Sequence, residues 1–135
     1  MRKLTALGMA VAIATVPVPL AAAGKYDGSV PLLCVPIETI ECQVAGKCSA
    51  GTAESVNLPQ FLRVDIQNKK ISAADESGRE TAIRSLERVD GRLIMQGVQG
   101  GRGWTMVISE ETGKMLGTVS EDEVGFVIFG ACTTR

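Results

Sequence analysis

The 135-residue chain contains no histidine. That removes the side chain most often used as a general base near neutral pH. Serine–histidine and cysteine–histidine nucleophile pairs are excluded with it, as are imidazole zinc sites. Aromatic residues are also scarce, with one tryptophan, one tyrosine and three phenylalanines. Stacking platforms for bases are therefore poorly supplied. No Cys-x-x-Cys pair occurs, which argues against a dithiol redox centre or a zinc knuckle. An apolar run of the ~20 residues needed for a membrane-spanning helix is missing too.

What is present at the N-terminus reads as a secretory signal peptide over residues 1–23. Arg2 and Lys3 form a basic start, and an apolar run follows from Leu4 to about Val16. Pro17 and Pro19 break that run, and Ala21-Ala22-Ala23 supplies the small residues of a cleavage site between Ala23 and Gly24. The expected location is the periplasm or the medium. Cys34, the first cysteine, lies well beyond the cleavage site, which disfavours a lipid-anchored form. Residues 24–135 are long enough for one domain. Removing Arg2 and Lys3 leaves 12 of the 14 basic residues against 15 acidic ones, a net charge of −3. Nucleic-acid partners are not expected at that balance.

In an oxidising compartment the even set Cys34, Cys42, Cys48 and Cys132 reads as two disulfides. Four cysteines allow three pairings, and sequence alone does not choose among them. The short Cys42–Cys48 segment contains Gly46 and closes a loop easily, which favours Cys42–Cys48 with Cys34–Cys132. The second bridge would join the first strand to the last. Across a loop of ~100 residues the chain-entropy model gives it up to ~4.7 kcal/mol.

Alternation and turn chemistry place about eight short strands in the mature chain. Leu32–Cys42 is apolar and β-branched, and Pro31 and Pro36 mark it as an edge strand. Gln43–Pro59 is the longest irregular stretch, with one helical turn at Thr52–Val56 capped by Thr52. Leu62, Val64 and Ile66 share one strand face. Thr81–Val89 fits a strand or a helix about equally. Asp90-Gly91 is a hairpin turn, and Gly100-Gly101-Arg102-Gly103 a second. Trp104, Met106 and Ile108 share a face of the next strand. The last strand, Val124–Cys132, is apolar on both faces through Phe129, so it is expected to be central and covered on both sides. The expected fold is all-β: an antiparallel meander forming a small closed or partly open barrel of about eight strands, stabilised by disulfides.

Three fragments, Tyr26-Asp27-Gly28-Ser29-Val30-Pro31-Leu32-Leu33-Cys34, Asn57-Leu58-Pro59-Gln60-Phe61-Leu62-Arg63-Val64-Asp65 and Phe126-Val127-Ile128-Phe129-Gly130-Ala131-Cys132, resemble a family of short exported, periplasmic bacterial proteins of unknown function. The resemblance implies export and the presence of both end cysteines, and it supplies no catalytic residue. At the level of architecture the expected barrel is similar to the calycin type, whose members hold small ligands.

No residue is assigned a catalytic role, and neither a cofactor nor a metal is expected. The first functional reading is a non-enzymatic, monomeric exported barrel that binds a small molecule or an envelope protein. Trp104, Met106, Arg63, Arg84 and Arg102 are its candidate binding residues. A second reading is an interaction or enzyme-inhibitor module acting through the Cys42–Pro59 loop. The third is a hydrolase built on carboxylates alone, with Asp65 paired to Glu38 or Glu87. Gly100-Gly101-Arg102-Gly103 lacks the following helix of a phosphate cradle. Glu121-Asp122-Glu123 lacks the spaced oxygens of a calcium loop.

Overall fold

The computed structural model describes residues 24–134. The signal segment expected at residues 1–23, including the Ala23 side of the expected cleavage site, lies outside the described residues. The strands are β1 Leu32–Gln43, β2 Lys47–Gly51, β3 Leu62–Asp65, β4 Lys70–Ala73, β5 Glu80–Ala82, β6 Ser85–Val89, β7 Arg92–Gln99, β8 Arg102–Ser109, β9 Lys114–Ser120 and β10 Val124–Thr134. They form one antiparallel sheet in the order β5-β4-β3-β1-β10-β9-β8-β7-β6, with β2 also paired to β1. The all-β antiparallel reading holds. The expected closed or partly open barrel of about eight strands holds only in part: the barrel is not closed, and its sheet has ten strands curled into a half-barrel. Two changes account for the difference. The stretch after Cys42 contains a strand, β2, and Thr81–Val89 is split into β5 and β6.

That split links the two edges of the sheet. β5 pairs with β4 at one edge, and β6 pairs with β7 at the other. Between them the Ile83 N–H bonds the Lys69 carbonyl, and the next N–H, that of Arg84, bonds the Gln96 carbonyl. The chain changes partner within two residues, which breaks the inside–outside alternation a single strand would show.

β1 is interior, not an edge strand. β10 pairs along its whole length on one side. On the other side β3 takes Leu32–Cys34 and β2 takes Thr39–Gln43. Pro36 falls in the gap between those two pairings, so the donor it lacks is not demanded by either strand. A bulge between Pro36 and Glu38 follows at once. It places Ile37 and Glu38 both outside and returns Thr39 to the interior.

Turn chemistry sets the hairpins. Asp90 and Gly91 have φ of 49° and 70°, and Gly100 and Gly101 have φ of 56° and 80°. Two successive left-handed residues give the turn whose twist matches the flanking strands. The glycine-rich segment is thus a hairpin between β7 and β8, with no helix after it.

The inner face buries Leu32, Cys34, Val64, Ile66, Ile71, Ile83, Leu93, Met95, Met106, Ile108, Met115, Ile128 and Cys132 as one cluster. Burying a side chain of this size is worth roughly 1.5–3 kcal/mol. Both disulfides form in the expected pairing. Cys34–Cys132 links directly opposite residues of β1 and β10, and Cys42–Cys48 does the same for β1 and β2. They indicate a non-reducing, extracellular-type environment. Among the described residues no helix is long and apolar enough to cross a membrane. β10 is central as expected, but its outer face is not covered. Phe129 is 42% exposed, beside Leu116 of β9 at 39%.

Candidate functional site

The inward rows of β7–β10 run from one end of the half-barrel to the other. At one end Leu93, Ile108 and Met115 lie side by side across the strands and are buried. In the middle come Met95, Met106, Gly117 and Ile128. At the other end come Gly97, Trp104, Val119 and Phe126. Two of these last eight positions are glycine; the Trp104 ring covers Gly97, and the space in front of Gly117 is not filled. The result is a pocket of about 340 Å³, within the range of small-molecule sites.

Its walls are mainly apolar, with the uncharged polar residues Ser72, Thr81, Gln99, Thr105 and Thr118 among them. Trp104, Met106, Val119, Phe126 and Ile128 contribute from one side of the curled sheet, and Leu62 and Ile71 from the other. The segment Val56–Pro59 crosses beside them and adds Leu58, which packs against the core. Trp104 is positioned from two directions. Its ring lies over Gly97, where a Cβ would drive into the indole. Its Nε1 donates to Thr81 Oγ1 at 3.1 Å, which satisfies the one polar atom of the ring. Gly117 has no such overlying group, and a Cβ there would meet Ile128 only at ordinary contact distance, 3.5 Å.

The segment that carries Leu58 is built from local hydrogen bonds. Thr52 N–H donates to Ser55 Oγ at 3.1 Å, and Ser55 N–H to Thr52 Oγ1 at 3.4 Å. This reciprocal pair starts a single 3-10 turn at Glu54–Val56, close to the expected one. Asn57 ends it in the left-handed region at φ 55°. Thr39, the one fully buried polar side chain among the described residues, donates to the Thr52 carbonyl at 3.2 Å and ties the segment to β1. Arg79 Nη2 donates to the Asn57 carbonyl at 2.7 Å and ties it to the β4–β5 loop.

Charge is confined to the exposed rim, where Arg79, Glu80 and Arg102 line the pocket. Glu80 is 3.5 Å from Lys70. Arg102 meets Glu121 through Nε at 2.8 Å, and that hydrogen bond holds the guanidinium still more firmly in its charged form. Among the described residues no buried side-chain polar atom lacks a partner.

Three of the five expected binding residues, Trp104, Met106 and Arg102, line this pocket. Arg63 and Arg84 do not. Both side chains lie on the exposed outer surface, Arg63 beside a separate cleft of about 20 Å³ with Pro31, Leu32 and Leu33. The interior is too apolar to recruit them. The carboxylates Asp65, Glu38 and Glu87 are likewise absent from the pocket lining. Asp65 instead accepts Asn68 Nδ2 at 2.8 Å and the Asn68 N–H at 3.0 Å, which lowers its pKa below the usual aspartate value. An acid–base partner needs the opposite tuning. Among the described residues no cluster of three or more cysteine, aspartate or glutamate side chains is arranged to hold a metal.

Sequence reasoning missed Leu58, Val119, Phe126, Arg79 and Gly117. Gly117 had a signal, since glycine inside a strand often marks a place where something approaches closely. The chain matches no protein-family model, no curated protein and no solved structure.

Proposed function

We propose that this is an exported, non-enzymatic protein that binds a small, largely apolar molecule in the pocket at the Trp104 end of the half-barrel. The observation that supports this is an apolar cavity of about 340 Å³ in a domain whose other end is closely packed. An unfilled apolar volume forfeits packing energy, so its retention points to a use. The disulfides fit action outside the reducing cytosol, in keeping with the signal segment expected at residues 1–23. The Cys42–Pro59 loop belongs to the same reading, because Val56–Pro59 form part of the pocket wall.

Trp104 is the only tryptophan in the chain, so its emission reports on the site without labelling. Titration with the neutral dye N-phenyl-1-naphthylamine is expected to give saturable one-to-one binding and to quench Trp104. Gly117→Leu, which projects into the cavity beside Ile128, is expected to abolish both signals while the protein stays folded. Absence of saturable binding, or equal binding by folded Gly117→Leu, rejects the proposal.

A further inference from the structure

We infer that the ligand is an anionic amphiphile, with its apolar chain in the pocket and its acidic head group held at the rim by Arg79. This rests on the binding function proposed above and adds the chemical class. The interior fixes the first half of the argument. Its walls are mainly aliphatic, thioether and aromatic groups, and the polar residues among them, such as Ser72, Thr81 and Thr105, are uncharged. An ionised group inside would lose its hydration with no opposite charge to compensate. The charged part of a ligand must therefore lie at the rim.

The rim fixes the second half. Three charged side chains line it, two arginines and one glutamate. Glu80 is paired with Lys70, and Arg102 with Glu121. Arg79 has no carboxylate within ion-pair distance among the described residues. Asp75, in the same loop, feels its charge only at longer range. One Arg79 donor is spent on the Asn57 carbonyl. A guanidinium has five N–H donors in a planar fork, so several remain to receive a carboxylate or phosphate in two-point contact. The Asn57 bond also restrains the side chain next to Leu58, at the edge of the pocket, which reduces the ordering cost of binding. The positive charge that is not neutralised thus stands where an amphiphile's head would emerge.

The test is displacement of N-phenyl-1-naphthylamine from the full disulfide-bonded protein by four twelve-carbon chains below their micelle-forming concentrations: dodecanoate, dodecyl phosphate, dodecanol and dodecyltrimethylammonium. At least one of the two anions is expected to bind roughly tenfold or more tightly than dodecanol, as a charge-assisted hydrogen bond allows. The better anion identifies the head group as carboxylate or phosphate. In Arg79→Gln the preference should disappear while the dodecanol affinity stays unchanged, which shows that the pocket is intact. Arg102→Gln should retain most of it. If the dye binds but the four chains compete equally, or the cation is preferred, the inference fails and the apolar pocket stands. If Arg79→Gln weakens all four alike, Arg79 only holds the loop and the inference also fails. If the dye itself does not bind, both readings fall.

Discussion

The two ends of the half-barrel are made by the same four strands, β7–β10, with the same inward alternation, and they differ in what occupies each position. At one end Leu93, Ile108 and Met115 meet Leu32, Val64 and Ile66 in a packed core. Toward the other, Gly117 and the outlying Trp104, whose ring lies over Gly97, border a cavity. Alternation decides which residues face inward, and side-chain size then decides whether the inside is core or site. Each end also has its own disulfide. Cys34–Cys132 is in the core cluster, whereas Cys42–Cys48 lies near the start of β10, where Cys42 pairs with Gly125.

That contrast is sharpest in the disulfides. Replacing Cys34 and Cys132 together by alanine opens a bridge of sequence separation 98 and empties two buried positions. The expected loss is about 4–5 kcal/mol in chemical denaturation. Replacing Cys42 and Cys48, separated by 6, should cost about half as much. Equal losses would mean that the pocket end contributes as much to global stability as the packed end.

Core truncation gives the next largest effect. Leu93→Ala removes a fully buried side chain and is expected to cost about 3 kcal/mol. Leu58→Ala, in the partly buried pocket wall, should cost about 1 kcal/mol or less and instead weaken dye binding. The check is denaturation midpoint against dye affinity for the two variants, and a reversed order would break the division between core and site.

The smallest effect is on acid stability. Asp27 accepts the Ser29 backbone N–H, Asp65 is bonded by the side chain and backbone of Asn68, and Asp75 by Ser77. Each bond favours the carboxylate, so the folded pKa lies below the ordinary value of 3.8. A lowered folded pKa means stability that is complete above the unfolded value and lost as pH falls through the folded one. Unfolding midpoints should therefore be flat at neutral pH and drop modestly below about pH 4. Asp65→Asn should flatten part of that drop.

Much of the architecture was legible. Asp90-Gly91 specified its hairpin because two left-handed residues in succession admit few side chains. The cysteine pairing was favoured, though not fixed, by a short glycine-containing loop. β2 was not legible, since all of Lys47–Ala50 is exposed and shows no inside–outside alternation. Its pairing is held by backbone bonds to β1 and by the Cys42–Cys48 bridge. The partner switch at Ile83–Arg84 was hidden for another reason. Ile83 and Leu86 both turn toward the core, a spacing of three that mimics a helix. Trp104 and Met106 were found from one strand's alternation and Arg102 from its place beside Trp104 in the preceding turn, but Arg79 could not be. Its place at the rim depends on a contact with Asn57, 22 residues away along the chain.

The pairing of β1 with β10 has one more consequence. Leu32 lies opposite Thr134, so the first and last strands finish side by side at the end remote from Trp104. A linker between the two ends of the folded domain would be short. The Gly100-Gly101 turn offers a place to open new termini, and such a circular permutant should retain the sheet order. By the same geometry, a fusion partner or surface tether attached at either end would leave the Trp104 mouth facing away from it.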